Sequence, residues 1–113
     1  MGLEVGTADV PAPVFDALGD PNRLRMVIWL CDKGPCSTSA VSQSITATRQ
    51  ATSKHLELLQ AAGVVCSVKR GRERIWQVRP ESLTAASDYL NTLSRRWDQR
   101  VDRLRAFVED PDS

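Results

Sequence analysis

A single mainly α-helical domain with one small β-hairpin, an α+β chain in the order four helices, two strands and a long final helix, is the fold this sequence predicts. Three observations carry that expectation. Apolar residues recur at three- and four-residue steps through most of the chain, and at steps near two only between Val64 and Val78. Gly19, Gly34, Gly63 and Gly71 fall where these patterns begin or stop. A length of 113 residues with 42% hydrophobic content suits one core and is too short for two.

Composition narrows the class further. The longest uninterrupted apolar run, Met26 to Cys31, is far short of a membrane span, and no charged-then-apolar leader is visible, so a cytoplasmic protein without membrane contact is expected. Three cysteines without a C-x-x-C pair argue against a disulfide framework and fit a reducing compartment. The formal charge of +1 conceals an asymmetry. Residues 1–48 carry three basic and five acidic groups, residues 49–80 seven and two, and residues 81–113 five and seven. A basic middle third between two acidic flanks suggests a polyanion footprint on one face.

Met1 to about Val10 shows no periodicity and is expected to be a flexible tail, as are residues 110–113; the folded domain is expected over 11–109. Val14, Phe15 and Leu18 suit a short first helix ended by Gly19. Asp20 is a favoured N-cap and Pro21 a favoured first helical residue, so a second helix should run to about Lys33, where Gly34-Pro35 stops it. Its Met26–Cys31 stretch is apolar nearly all round, which predicts a central helix covered on most sides, with Cys31 as a small core hydrophobe. A third helix is expected from about Ser39 to Ile45, with Ala40, Val41 and Ile45 inward.

Thr48 and Gly63 bound a fourth helix as N-cap and C′ residues. Ala51, His55 or Leu56, Leu59 and Ala62 would pack inward, while Arg49, Gln50, Ser53 and Lys54 gather on the opposite side of the first two turns. Such donors and acceptors match the O6, N7 and N4/N6 groups of bases in a major groove. With the short third helix and the Thr46-Ala47-Thr48 turn, this makes a helix-turn-helix arrangement. The candidate DNA-contacting set on this helix is Thr48, Arg49, Gln50, Thr52, Ser53, Lys54 and His55, the last with a packing role and an edge toward the DNA backbone. The following hairpin turns around Gly71 and holds Lys69, Arg70, Arg72 and Arg74 near its tip, a wing suited to phosphate or the minor groove.

Pro80-Glu81 opens the last helix, expected over about 81–109. Its apolar positions Leu83, Ala86, Leu90, Leu93, Trp97, Val101, Leu104 and Val108 alternate steps of three and four, a heptad-like seam. A helix this long overhangs so small a core, and another copy of the chain is its economical partner. The candidate dimerisation set is Val14, Phe15 and Leu18 of the first helix with Leu90, Leu93, Trp97, Val101 and Leu104 of the last.

Ala17-Leu18-Gly19-Asp20-Pro21-Asn22-Arg23-Leu24, Ser53-Lys54-His55-Leu56 through Ala62-Gly63-Val64-Val65, and Arg70-Gly71-Arg72-Glu73-Arg74-Ile75-Trp76 together resemble the ArsR/SmtB family of bacterial winged-helix repressors, over about residues 12–108. The resemblance implies a homodimeric transcriptional repressor that binds double-stranded DNA at an imperfect palindrome and releases it when a signal binds. Family metal sensors often carry a Cys-Val-Cys pair before the reading helix; the aligned positions here are Ser37 and Ser39. The other frequent metal site uses histidines and carboxylates of the last helix, and no histidine follows His55. Neither usual site is present, so no metal or other cofactor is expected. Thr52 stands where the family commonly has an apolar Val or Ile.

Two alternatives stay beside this reading. One is a winged-helix protein-interaction module that does not read DNA, which salt-insensitive binding to a protein would favour. The other is a thiol- or soft-metal-responsive repressor using Cys31, Cys36 and Cys66, which needs the fold to gather three residues far apart in sequence. No nucleophile, base and orienting group are placed together, so an enzyme is not expected.

Overall fold

A computed structural model describes residues 11–109; the tails expected at 1–10 and 110–113 lie outside the described residues. The elements run α1 (Ala12–Leu18), α2 (Pro21–Lys33), β1 (Cys36–Ser37), α3 (Thr38–Val41) continued by a 3₁₀ turn (Ser42–Ser44), α4 (Arg49–Ala61), β2 (Val65–Arg70), β3 (Glu73–Val78) and α5 (Pro80–Glu109). This is a winged helix-turn-helix architecture. The sheet has three antiparallel strands in the order β1-β3-β2, one more than the sequence suggested. The added strand is two residues long, Cys36 opposite Trp76 and Ser37 opposite Ile75, and exists only by pairing with β3.

Capping explains where the helices start. The Asp20 carboxylate accepts hydrogen bonds from the backbone N–H groups of Asn22 (2.8 Å) and Arg23 (3.1 Å), satisfying two of the donors that a helix leaves unpaired at its start. Ser37 caps α3 by accepting from the Ala40 N–H, so that helix begins earlier than expected and is only four residues long before the 3₁₀ turn. Thr48 caps α4 by accepting from the Ala51 N–H at 3.0 Å. Gly63, at φ 82°, ends α4: its N–H bonds to the Gln60 carbonyl and the Val64 N–H to that of Leu59, a Schellman closure that needs the left-handed conformation glycine tolerates.

The core is built from Met26, Val27 and Leu30 of α2, Val41 and Ile45 around α3, Leu56 and Leu59 of α4, Val64, Val65 and Trp76 of the sheet, Val14 and Ala17 of α1, and Ala86 of α5. Two expectations are corrected here. Helix α2 is covered on one side and not all round: Ile28 and Cys31 are exposed, so Cys31 is not a core hydrophobe. Val14 is only 7% exposed in the core, since α1 packs on α2, α4 and α5 at once, so it is not a free dimerisation residue.

One buried hydrogen bond locks the helix-turn-helix to the sheet. Trp76 Nε1 donates to Thr38 Oγ1 at 2.9 Å, with both residues buried. Trp76→Phe removes the donor and leaves the Thr38 hydroxyl unpaired away from water. It is expected to cost about 1–3 kcal/mol in urea unfolding; a change below a few tenths would mean that the bond does not anchor α3.

Candidate nucleic-acid interface

Helix α4 divides as an amphipathic helix should. Thr52, Leu56 and Leu59 are buried, which settles the inward position as Leu56, while Arg49, Gln50, Lys54 and Glu57 are exposed and Ser53 is half-buried. Gln50, Ser53, Lys54 and Glu57 line one shallow cleft on the outward face. Thr48, Arg49, Gln50, Ser53 and Lys54 thus lie on the accessible side of the first turns, as a base-reading surface requires. Glu57, a carboxylate able to accept from a cytosine amine or repel phosphate, belongs to the same cleft and was not singled out from sequence.

Thr52 is corrected. It is 0% exposed, and its hydroxyl donates to the Thr48 carbonyl at 2.9 Å. That bond satisfies the hydroxyl inside the core, so threonine fits where an apolar residue was expected, and its side chain cannot reach DNA. His55 is half-buried against the start of α2: Arg23 Nη1 stands 3.5 Å from His55 Nδ1, while Arg23 Nε donates to the Ala17 carbonyl at 2.7 Å. Arg23 therefore bridges the end of α1 and the reading helix, and His55 serves that junction.

The wing is a two-residue hairpin. Arg70 pairs with Glu73, and Gly71 turns the chain at φ 66° with Arg72 beside it. Lys69, Arg70, Arg72 and Arg74 are all exposed. Arg74 is partly engaged: its Nη1 donates to Ser67 Oγ at 2.9 Å, and Ser67 Oγ donates to Gln60 Oε1 at 2.7 Å on α4. This relay ties the base of the wing to the reading helix. Gln60 has no sequence signal beyond its place near the end of α4.

Electrostatics at the α2 start bear on stability. The Arg23 backbone N–H holds the Asp20 carboxyl below its ordinary value, with the Asn22 N–H and the charges of Arg23 and His55 adding to it. A carboxyl lowered in the fold stabilises above its unfolded pKa, and that contribution is lost as pH falls through the folded value. Asp20→Ala is accordingly expected to lower the urea midpoint at pH 7 and to narrow its gap from the parent protein in acid. A gap that is constant with pH would contradict the cap's charge dependence.

The cysteines are not gathered. In the antiparallel register Cys36 pairs with Trp76 and Cys66 with Gln77, neighbours on β3 whose side chains point to opposite faces of the sheet. Cys31 lies exposed on α2, at the edge of a groove with Leu30, Val78 and Leu83. Among the described residues no cluster of three or more histidine, cysteine or carboxylate side chains could hold a metal. The Ser37 hydroxyl is already used as the α3 cap. Among the described residues no helix is long and apolar enough to cross a membrane.

These features define a winged helix-turn-helix regulator, and comparison with known proteins gives its family. No family model matches the chain. The HTH-type transcriptional regulator Rv2034 of Mycobacterium tuberculosis is 31% identical over 99 residues, covering 88% of this chain and 89% of that protein. Among solved structures, an ArsR-like transcriptional regulator from Rhodococcus sp. RHA1 is 33% identical, with a TM-score of 0.75 over 89% of this chain and 93% of its own. The homodimeric winged helix-turn-helix DNA-binding domain of Mb0332 from Mycobacterium bovis shares the fold at a TM-score of 0.62 over 91% of this chain and 92% of its own, at 16% identity. The chain belongs to the ArsR family of transcriptional regulators.

Proposed function

We propose that the chain is a dimeric DNA-binding repressor that reads an imperfect palindrome, placing α4 in the major groove of each half-site and the wing on adjacent phosphates. The observation that carries this is the exposed face of Arg49, Gln50 and Lys54 on a capped, core-anchored helix, joined through Gln60 and Ser67 to an arginine-rich hairpin. Base edges in the major groove demand such side chains, and phosphates demand such a tip. A two-fold dimer presents two reading helices, so the half-sites should stand about one helical turn, roughly 34–36 Å, apart or slightly more.

The dimer follows from α5. Leu90, Leu93, Trp97 and Leu104 are exposed in the protomer, Val101 is half-buried, and Trp97 is 67% exposed. Phe15 and Leu18 are half-buried at the α1 end of the same surface. Phe107, 72% exposed, adds to this surface and was not part of the expected seam. An apolar stripe of this length in one protomer calls for a partner.

The regulator is not controlled by metal through the usual family positions, because Ser37 and Ser39 replace the thiolates and no histidine follows His55. Selection of bound genomic fragments by purified protein, with and without zinc or cadmium, tests both statements. Recovery of one palindromic class unaffected by metal is expected. Unselective recovery would contradict sequence reading, and metal-dependent release would contradict the second statement.

A further inference from the structure

The outward face of α4 carries one side chain that does not suit a polyanion. Residues 49–80 hold seven basic groups and two acidic ones, Glu57 and Glu73. Glu73 stands across the hairpin from Arg70, an opposite charge. Glu57 is exposed and shares its cleft with Gln50, Ser53 and Lys54. Among the described residues the one ion pair joins Arg79 and Glu81, so Lys54, three residues before Glu57, does not hold its carboxylate.

Helix geometry puts that carboxylate in the middle of the reading surface. Glu57 follows Gln50 by seven residues, a rotation about 20° short of two full turns. It therefore stands almost directly behind Gln50, about 10.5 Å further along the helix, close to the length of three base pairs at about 3.4 Å each. Ser53 and Lys54 flank the line between the two, about 60° to one side and 40° to the other. Phosphates repel an anion placed there. Only a base edge that donates a hydrogen bond offsets the cost of bringing it into the groove.

We infer that Glu57 is a specificity-determining residue that selects cytosine in each half-site, about two to three base pairs from the base that Gln50 contacts, by accepting a hydrogen bond from the cytosine N4 amine. This rests on the major-groove reading proposed above and adds a named base to it. Cytosine offers a donor with no acceptor on its own edge, whereas guanine and thymine present acceptors to the carboxylate, and the adenine amine stands beside the N7 acceptor. With any of those three, Glu57 loses its hydration without gaining a donor, and the penalty is larger for a charge than for a neutral group. The residue thus lowers affinity for DNA in general and restores it at the correct base, which is how a repulsive element produces discrimination.

Selection from a randomised duplex library by the full-length protein, by Glu57→Ala, by Glu57→Gln and by Gln50→Ala tests this. Glu57 lies outside the core, so the helical circular dichroism of its variants should be unchanged. The wild-type protein is expected to enrich cytosine at one position per half-site. Glu57→Ala should lower that preference about tenfold at that position alone and bind an unrelated duplex more tightly than the wild type does. Glu57→Gln should move the preference there to adenine, whose N6 and N7 suit an amide. Gln50→Ala should relax a different position, about two to three base pairs away. If Gln50→Ala relaxes its position while Glu57→Ala keeps every preference of the wild type, α4 reading stands and the role of Glu57 is overturned. A gain in affinity from Glu57→Ala with no change at any base would likewise reduce Glu57 to plain repulsion and overturn it. Unselective recovery by the wild-type protein would overturn reading by α4 itself, and the assignment of Glu57 with it.

Discussion

Replacing Leu93 and Trp97 together with glutamate is expected to abolish dimer formation and, with it, binding to the palindrome. The two side chains are 41% and 67% exposed in the protomer, so its fold depends little on them and the helical circular dichroism should persist. Their removal is felt at the seam. Burial of a large apolar side chain contributes about 1.5–3 kcal/mol, and four such side chains are removed per dimer, against the roughly 8 kcal/mol that a micromolar dissociation constant represents. Glutamates in their place would have to be desolvated without partners. Sedimentation at micromolar concentration checks this. A dimer that survives the double substitution would place the interface elsewhere.

The second large effect concerns the bases. Arg49 and Gln50 occupy the first turn of α4 beyond the Thr48 cap, fully outside the core, so their side chains are free to contact base edges. Gln50→Ala or Arg49→Ala should cost on the order of 1–3 kcal/mol at one base position in each half-site and relax preference there. Titration on operators altered at single positions checks it: the variant should bind altered and unaltered sites alike at the position it reads. Undiminished discrimination at every position would remove that residue from base reading.

The parts of this architecture that were legible in the sequence are those decided locally. Asp20, Pro21 and Gly34 mark α2, and Thr48 and Gly63 mark α4, because caps and left-handed residues act within a few positions of themselves. The hairpin around Gly71 was legible for the same reason. What was not legible depends on partners distant in sequence. Strand β1 is two residues with no alternation to detect, and it exists because β3 offers an edge. The exposure of Cys31 reflects which side of α2 its neighbours cover, which an apolar run cannot disclose. Thr52 and Val14 show the same limit on short helices, where one residue step is about 100° of rotation and decides between core and surface. Around His55, the contact with Arg23 joins residues more than thirty positions apart, so the histidine's role belongs to the α1–α2–α4 junction that folding creates.

The central claim, that α4 and the wing form one DNA-reading surface with divided roles, is tested most directly by Arg72→Ala. Arg72 stands in the exposed hairpin turn, beyond the Gln60–Ser67–Arg74 relay, where a phosphate contact is expected. Binding titrations of this variant and Gln50→Ala on the operator and on an unrelated duplex, at several salt concentrations, separate the roles. Arg72→Ala is expected to weaken both duplexes by a similar factor and to lower the slope of log K against log salt by about one unit for each phosphate that a subunit no longer neutralises, while Gln50→Ala leaves the slope unchanged and weakens the operator alone. Equal loss of discrimination from both variants would contradict the division of labour, and no loss from either would contradict DNA reading by this face.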